Sequence, residues 1–266
     1  MNRPAANPIL RIDFQKRTSA PCARSLAQEA PVAFEYNGLG YAVMMASPQD
    51  LIDYAVGFTL AEGLATNAGE IETIEVAEVA RGTIVRIALP AERGNMLQER
   101  LRLRLVEGSC GLCGLESIEE VLRPLQPLAH TPAISREAIA IALANLRDHQ
   151  PAGRETGAMH AAAFCDGTGR IVAAREDIGR HNALDKLVGH LAREAGDPAT
   201  GFILLSARCS YELVEKTVRA RCPALVTISA ASDLAVERAA AARLTLVSLA
   251  RSDAALVMND PYGCFA

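Results

Sequence analysis

The chain has 266 residues, of which 50% are apolar and 22% are charged, so it can bury the core of one large domain or two modest ones. Its formal net charge is -4 and only 4% of its residues are aromatic. These values disfavour a general duplex-binding protein, which usually carries positive charge, and an aromatic platform for single-stranded nucleic acid. No apolar run is long enough to cross a membrane, and Met1 to Phe14 lack the apolar segment of a secretory signal. The composition therefore predicts a cytoplasmic protein that binds neither nucleic acid nor membranes.

The N-terminal half is predicted to be a small α+β region that follows an extended arm at residues 1–30. Hairpin turns, a helix cap and alternating apolar residues define its elements. In chain order these are strands at Val32–Tyr36 and Tyr41–Met45 around Asn37-Gly38, a helix capped by Ser47 that begins with Pro48 and ends at Gly63, strands at Ile71–Val79 and Thr83–Leu89 around an Arg81-Gly82 turn, a strand or helix at Arg100–Val106, and a short helix at Glu116–Leu122.

The C-terminal half alternates short apolar runs with helices, which is typical of β-α-β units and predicts a largely parallel sheet. Pro124, Pro127 and Pro132 mark the best linker between the halves. The predicted elements are a helix from a Ser135 cap to Arg147, an apolar stretch after His160, a strand at Ile171–Ala174 beyond an Asp166-Gly167 turn, a helix carrying Leu184 to Leu191, strands at Phe202–Ser206, Ala224–Ser229 and Leu244–Leu249, and helices at Tyr211–Arg221 and Leu234–Arg243.

Cys110 and Cys113 are a close pair among seven otherwise scattered cysteines. Without a secretory signal, an odd number of scattered cysteines argues for free thiols, a metal site or redox chemistry rather than a disulfide framework. Gly108, Gly111 and Gly114 surround the pair, as suits a loop that must move or approach a partner closely. A thiolate in such a loop can take sulfur from a donor persulfide by the attack that drives thiol–disulfide exchange. The pair therefore predicts a carrier of reactive sulfur.

The cysteine pair has other interpretations: half of a structural zinc site, a thioredoxin-like redox motif, or two unreactive loop cysteines. A zinc site needs four ligands, and the sequence has no second close Cys/Cys or His/His pair. A thioredoxin-like motif belongs in a β-α-β unit, whereas this pair precedes the proline-rich linker. We therefore expect no intrinsic metal.

A ligand site is predicted at the carboxyl ends of the C-terminal strands, where open α/β sheets bind ligands. Small polar loops follow predicted strands at 206–210, 229–233 and 251–253, and the segment at 175–182 opens a helix whose N-terminus offers backbone amides to an anion. Positive charge there would come from Arg180, His181, Lys186, Arg208, Lys216 and Arg251, and acceptors for a base or ribose from Asp177, Asp185, Glu212 and Asp233.

Each of these residues also has an ordinary structural interpretation. Asp185 and Lys186 would suit a solvated helix face, and isolated histidines such as His160 are often only structural. Arg208 and Glu212, four residues apart, would suit a surface ion pair of little energetic value. Four polar loops at matching strand ends nevertheless favour a ligand site.

Three motifs together resemble the FdhD family, the formate dehydrogenase accessory sulfurtransferases. They are Gly-Ser-Cys-Gly-Leu-Cys-Gly at 108–114, Thr-Gly-Ala-Met-His at 156–160, and Arg-Glu-Asp-Ile-Gly-Arg-His-Asn-Ala-Leu-Asp-Lys at 175–186. The third motif is highly specific, and the resemblance runs from about Pro31 to about Arg251.

The resemblance implies a sulfurtransferase that accepts persulfide sulfur from a cysteine desulfurase. It would pass this sulfur to the molybdenum bis(molybdopterin guanine dinucleotide) cofactor, which is required for formate dehydrogenase activity. The family pattern places the cysteine persulfide intermediate on Cys110 and Cys113, and implies a homodimer whose site also holds GDP-like nucleotides.

The fold that the resemblance implies is α/β. A cytidine-deaminase-like C-terminal domain, with a parallel-rich sheet flanked by helices, would occupy 128–266 and hold the cofactor. A smaller α+β domain that ends in the Cys-x-x-Cys loop would occupy 31–127, after the arm at 1–30.

The resemblance assigns cofactor binding to residues at the strand ends and helix starts described above. They are His160, Asp177, Arg180, His181, Asn182, Asp185, Lys186, Ser206, Arg208, Ser210, Glu212, Lys216, Ser229, Asp233, Leu249, Ala250, Arg251, Ser252, Asp253 and Ala254.

The sequence departs from the family pattern at Ala158 and Ala207, where the family commonly has glycine, and at the unusual Cys209. It also lacks the motifs of zinc deaminases, which need His-x-Glu and Pro-Cys-x-x-Cys. His160 is followed by Ala161 and Ala162, so deamination is not expected even with a shared fold.

Two other functions compete with sulfur transfer. A chaperone that holds the molybdenum cofactor and docks on formate dehydrogenase without carrying sulfur would tolerate substitution of both cysteines. A small zinc-dependent hydrolase would purify with stoichiometric zinc. Within the sulfur-transfer hypothesis, Cys110 is favoured as first acceptor on reach, whereas Cys113 lies nearer the helix predicted at Glu116, whose N-terminus would lower its pKa.

Overall fold

The computed structural model describes residues 9–94, 97–98, 124–194 and 196–266. Cys110 and Cys113, the ambiguous segment Arg100–Val106 and the helix expected at Glu116–Leu122 lie outside the described residues. The expectations for these segments therefore stay predictions.

The described ranges contain two larger sheets, a separate hairpin and several helices. The strands are β1 (Ile9–Asp13), β2 (Thr18–Cys22), β3 (Ala30–Tyr36), β4 (Leu39–Ala46), β5 (Thr73–Val79), β6 (Gly82–Ala88), β7 (His160–Asp166), β8 (Ile171–Asp177), β9 (Gly201–Leu205), β10 (Ala224–Thr227), β11 (Thr245–Ser248) and β12 (Leu256–Asn259). The α-helices are α1 (Leu51–Ala61), α2 (Arg136–Asn145), α3 (Pro151–Thr156), α4 (Arg180–Arg193), α5 (Tyr211–Arg219) and α6 (Asp233–Ala241).

The N-terminal sheet has the strand order β4-β3-β6-β5 and packs against α1. Its first hairpin turns at Asn37 and Gly38, whose φ angles of 51° and 80° fit the two-residue turn that the sequence predicts. The second hairpin turns one residue earlier than expected, because Gly82 already pairs with Val79. Aromatic rings fill the space between sheet and helix, with Phe34 stacked on Phe58 at a centroid distance of 4.5 Å. Local turn chemistry and apolar patterning thus account for this layer.

Helix α1 begins at Leu51 rather than at Pro48, so the predicted cap at Ser47 is wrong. The N-cap position is occupied by Asp50, which has a left-handed backbone and makes no side-chain cap bond. Ser47 is engaged elsewhere, because its N–H donates to Asp177 Oδ2 at 3.0 Å and its Oγ accepts from the N–H of Ile178 at 3.2 Å. A long-range contact has replaced the local capping bond.

The C-terminal sheet has the order β12-β11-β10-β9-β7-β8, and it is mixed rather than largely parallel. Within this sheet, only the β9–β10 and β10–β11 pairs are parallel. Strands β7 and β8 form an antiparallel hairpin across a short turn, and β12, which the sequence did not reveal, returns antiparallel to β11. Two parallel strands need a long crossover connection, which a short connection cannot provide. The β7–β8 and β11–β12 pairs are therefore antiparallel.

Helices cover both faces of the C-terminal sheet. Apolar side chains of α4, α5 and α6 pack on one face, and those of α2 pack on the other. The predicted cap of α2 is confirmed, since Ser135 Oγ accepts from the N–H of Ala138 at 3.1 Å. The arm contains the β1–β2 hairpin, which the sequence analysis did not predict. No helix in the described ranges combines the length and apolar character needed to cross a membrane.

Helices α1 and α4 cross at two glycines, and this crossing joins the N-terminal layer to the C-terminal one. A Cβ on Gly57 would lie 1.7 Å from the carbonyl oxygen of Asp185, and one on Gly189 would lie 1.8 Å from that of Asp53. The two backbones therefore touch with no room for a side chain. The core clusters fall into the two predicted halves, while the exact domain boundaries stay predictions.

We expect Gly57→Ala to lower the free energy of unfolding by about 1–3 kcal/mol or more, because the added methyl must push two helix backbones apart. The measurement is urea unfolding of the purified protein. Gly40→Ala is the control: its added Cβ would meet nothing within 4 Å, so stability should change by less than about 1 kcal/mol. Equal stabilities of the two variants would contradict the tight crossing.

Candidate functional site

The loops after β9, β10 and β11 lie side by side at the carboxyl ends of these strands. The N–H of Cys209 donates to the carbonyl of Ala230, and the N–H of Ser232 donates back to the carbonyl of Cys209, both at 3.0 Å. The N–H of Leu249 donates to the carbonyl of Ser229 at 3.2 Å. The structure therefore brings together the loops that the sequence placed at one sheet edge.

Helices α4 and α5 begin at this same edge and meet through His181. Its Nε2 lies 3.3 Å from Ser210 Oγ and 2.9 Å from Glu212 Oε2. Both contacts use one ring nitrogen, so the group is not a Ser-His-Glu triad, in which the histidine uses both. The hydrogen bond from His181 lowers the pKa of Glu212, which remains an anion at neutral pH. The alternative interpretation of Arg208 and Glu212 as a surface ion pair is not supported, because Glu212 pairs with His181 instead.

Cationic side chains gather around His160 at the start of β7. Burial lowers the pKa of this half-buried histidine, and the neighbouring Arg180, Arg208 and His181 lower it further, against the opposing effect of Asp177. Moving a charged side chain out of water is costly unless an opposite charge pairs with it. A neutral imidazole therefore suits this position among cationic side chains. The cluster of His160, Arg180, His181 and Arg208 is called the basic edge below.

The basic edge has an unfilled hydrogen-bonding donor. Arg180 Nε is buried and has no hydrogen-bond partner among the described residues. It lies in the first residue of the 14-residue helix α4, where free backbone amides and the positive end of the helix dipole also favour an anion. Buried polar groups are nearly always paired, so Arg180 Nε is an unsatisfied donor within the basic edge.

Three residues assigned to cofactor binding are closed off from any ligand in this structure. Asp177 and Lys186 are fully buried and form an ion pair at 2.7 Å, and Asn182 is 4% exposed. Lys186 Nζ also donates to the carbonyl of Ser47 at 3.0 Å. Asp177, Asn182 and Lys186 are thus engaged with one another and with Ser47 beneath the basic edge, and the direct cofactor contacts expected of them stay predictions.

Asp185 and Lys216 form a second pair one turn further along α4 and α5. Lys216 Nζ donates to both carboxylate oxygens of Asp185, at 2.6 and 2.7 Å. Burial raises the pKa of Asp185, against the lowering effect of Lys216. The interpretation of Asp185 and Lys186 as a solvated helix face is wrong, because both are buried. This pair borders a cavity of about 220 Å³, lined by Leu60, Ala61, Gly63, Ala65, Thr66, Asp185, Val188, Lys216, Arg219 and Ala220.

The far side of the site is an exposed rim. Arg251, Ser252, Asp253 and Ala254 are exposed, and the N–H of Arg251 donates to the carbonyl of Ala254 at 2.8 Å in a tight turn. Ala250 is buried and contributes only backbone, whereas Leu249 is 37% exposed. Asp233 is exposed at the start of α6, where Ser232 rather than Asp233 caps the helix.

Serine residues tie the loops to the sheet. Ser206 Oγ accepts from the N–H of Ala161 at 2.8 Å, and the carbonyl of Ser229 accepts from Ser248 Oγ at 3.1 Å. Ser206 is therefore partly committed to the framework. The ligand-binding roles of Ser206, Ser210, Ser229 and the rim residues stay predictions.

The buried thiols of the C-terminal sheet are unsuited to sulfur chemistry. Burial raises the pKa of Cys165, Cys209 and Cys222 to about 12, so these cysteines remain protonated at neutral pH. No three His, Cys, Asp or Glu side chains in the described ranges are grouped to hold a metal ion. The expectation of no intrinsic metal stays a prediction, since Cys110 and Cys113 are not in those ranges.

Sequence reasoning missed Tyr54, which reaches the site's supporting layer from α1. Its hydroxyl donates to Asn182 Oδ1 at 2.8 Å, although the residues are 128 positions apart. Nothing in the apolar pattern of α1 distinguishes this tyrosine from an ordinary core residue.

Fold and site together define an α/β protein with a cluster of basic side chains near the ends of its parallel strands. The family model of the FdhD/NarQ family matches residues 27–262. The chain therefore belongs to the FdhD/NarQ family.

Curated relatives cover nearly the whole chain. A protein of Xanthomonas euvesicatoria pv. vesicatoria named "Sulfur carrier protein FdhD" is 45% identical over 243 residues, 91% of this chain and 86% of the relative. A protein of the same name from Variovorax paradoxus is 43% identical over 237 residues, 89% of this chain and 85% of the relative.

A solved structure shares the fold. The crystal structure of a protein assigned as a formate dehydrogenase accessory protein from Desulfotalea psychrophila has a TM-score of 0.74, 22% sequence identity, and 96% coverage of both chains. The likeness to cytidine deaminases stays a prediction.

A diphosphate at the basic edge should raise the pKa of His160, by about one unit or more, because added negative charge stabilises the imidazolium. The measurement is an NMR titration of the His160 ring with and without inorganic pyrophosphate. Uncharged guanosine serves as the control and should leave the titration unchanged. An identical titration in the presence of pyrophosphate would contradict an anion site beside His160.

Proposed function

We propose that this protein is a sulfur carrier in formate dehydrogenase maturation, which loads sulfur on the Cys110/Cys113 pair and delivers it to a cofactor held at the basic edge. The observation that carries the proposal is the buried Arg180 Nε, which has no hydrogen-bond partner among the described residues and lies among the cationic groups at the start of α4. The sequence adds a glycine-flanked Cys-x-x-Cys motif. Relatives named as sulfur carriers support the same role.

Sulfur loading is a thiol exchange in which no net oxidation occurs. A thiolate of the pair attacks the terminal sulfur of the donor's persulfide, forms a new S–S bond, and displaces the donor's thiolate. The carrier then holds a cysteine persulfide. We propose a cysteine desulfurase as the donor and Cys110 as the first acceptor, on reach alone.

Sulfur release uses the second cysteine. Its thiolate attacks the protein-bound sulfur of the persulfide, forms the Cys110–Cys113 disulfide, and expels the terminal sulfur as hydrosulfide. The two cysteines supply the two electrons that reduce this sulfur. A dithiol reductant must then restore both thiols before another cycle.

The basic edge suits the diphosphate of a guanine dinucleotide arm, as in the molybdenum bis(molybdopterin guanine dinucleotide) substrate. Arg180 and Arg208 would donate to phosphate oxygens, together with the free amides of the first turn of α4. The neutral His160 would donate one ring N–H. The exposed turn at 251–254 would border the rest of the substrate, as the family resemblance implies.

The proposal includes a homodimer in the cytoplasm with formate dehydrogenase as the recipient of the cofactor. A cofactor chaperone without sulfur chemistry is the second candidate, because the basic edge is complete in residues outside the cysteine loop. The two candidates differ in whether the cysteines gain sulfur.

Incubation with a cysteine desulfurase and cysteine should add the mass of at least one sulfur atom to the wild-type protein, and reductant should remove it. Substitution Cys110→Ala or Cys113→Ala should abolish the gain in one variant and thereby identify the acceptor. Intact-protein mass spectrometry makes the measurement.

The control variant is Cys264→Ala, which removes a half-buried cysteine elsewhere and should load normally. A folded wild-type protein that gains no sulfur from an active desulfurase would exclude direct acceptance from that donor. The chaperone function would then be the better account.

Replacement of Arg180 by glutamine should weaken GDP binding by roughly tenfold to a hundredfold, because it removes charge-assisted hydrogen bonds to the diphosphate. Isothermal titration calorimetry measures the affinity. Arg81→Gln is the matched control, since it neutralises an exposed arginine in the β5–β6 turn. Equal affinities of the two variants would contradict a diphosphate site at the basic edge.

A further inference from the structure

A buried chain of hydrogen bonds connects α1 to the start of α4. It runs from the Tyr54 hydroxyl to Asn182, from Asn182 to Asp177, and from Asp177 to the N–H of Gly179, the N-cap residue of α4. We propose that the Tyr54 hydroxyl is a positioning group for the basic edge, and holds the first turn of α4 so that Arg180 and His181 face the ligand.

The Tyr54 hydroxyl completes the hydrogen bonding of the Asn182 amide. Asn182 Nδ2 donates to the carbonyl of Met45 at 2.9 Å and to Asp177 Oδ1 at 3.0 Å, so Oδ1 must find its donor on the opposite side. The Tyr54 hydroxyl is that donor, at 2.8 Å. Burial, with smaller contributions from Asp185 and Asp177, raises the pKa of Tyr54, so the phenol keeps its proton.

The carboxylate of Asp177 passes this constraint to the helix start. Its Oδ1 accepts from the N–H of Gly179 at 2.8 Å, and its Oδ2 accepts from the N–H of Ser47 at 3.0 Å and from Lys186 Nζ at 2.7 Å. Ser47 and Lys186 are themselves fully buried. The loop that precedes Arg180 is therefore held by a connected network of buried hydrogen bonds.

Close packing at the start of α4 leaves little room for an alternative arrangement of the loop. A Cβ at Gly179 would lie 2.8 Å from Asn182 Nδ2, so the helix start packs directly against the amide to which Tyr54 donates. Ser47 adds a parallel connection, because its Oγ accepts from the N–H of Ile178 at 3.2 Å. Residues of β4 and α1, in the N-terminal half, thus set the position of a site in the C-terminal half.

The affinity part of this inference rests on the proposed function, whereas the positioning part does not. Tyr54→Phe removes only the hydroxyl and keeps the ring, which lies 5.7 Å from Lys186 Nζ. Tyr36→Phe is the matched control: it removes an equally buried hydroxyl of the same core, one that contacts Thr59 Oγ1 at 2.8 Å rather than Asn182.

Two readouts separate positioning from general stability. Hydrogen exchange, measured by mass spectrometry, should be faster in Tyr54→Phe over residues 176–184 and unchanged there in Tyr36→Phe, at similar melting temperatures. GDP affinity, measured by calorimetry, should fall by about threefold to thirtyfold in Tyr54→Phe alone. Ser47→Ala, which removes the parallel connection, should show the same exchange pattern in the same segment.

The outcomes distinguish the two proposals. Wild-type protein that binds GDP, with undiminished affinity in Tyr54→Phe, would overturn the positioning inference and leave the proposed function intact. Wild-type protein that does not bind GDP would count against the proposed function, and the exchange data would then decide the inference alone. Equal exchange over 176–184 in Tyr54→Phe and Tyr36→Phe would overturn it.

Discussion

The carboxylate of Asp177 is buried at the end of β8, where four donors from the β4–α1 connection and from the start of α4 converge on it. Lys186 supplies the opposite charge, and Ser47, Gly179 and Asn182 supply the remaining donors. Losing any one donor would leave a buried charge partly unpaired, which is among the costliest defects in a protein interior. The Asp177 carboxylate therefore fixes both the contact between the N-terminal and C-terminal halves and the position of the start of α4.

The glycine crossing of α1 and α4 is what makes this arrangement possible. Only backbones in contact bring Tyr54 of α1 within a hydrogen bond of Asn182 on α4. The same helix then carries His181 and Asp185 to their partners on α5. A chain of short-range contacts thus links the N-terminal aromatic core to the edge where the polar loops converge.

Local sequence signals predicted the features that depend on neighbouring residues, such as turns, helix caps and helix starts. Asn37-Gly38 forms a hairpin turn, Ser135 caps α2, and a helix begins at Arg180 as the sequence predicts. Contacts between residues far apart in the sequence determined the features that the local signals predicted wrongly. Ser47 carries a good capping pattern but bonds to residues 130 positions away, and Lys186 sits in a polar motif yet is fully buried. The directions of β7 and β12 follow from the short connections to their neighbouring strands. The spacing of apolar residues does not indicate which strands pair or in which direction.

The high pKa values of Cys165, Cys209 and Cys222 bear on how sulfur is kept in one place. Persulfide sulfur migrates readily to any accessible thiolate, so every additional reactive cysteine is a potential leak. Three thiols are buried in and beside the C-terminal sheet and stay protonated. They therefore do not compete as acceptors of persulfide sulfur. Burial thus shields these three thiols from exchange, and this includes Cys209, which lies in the loop after β9.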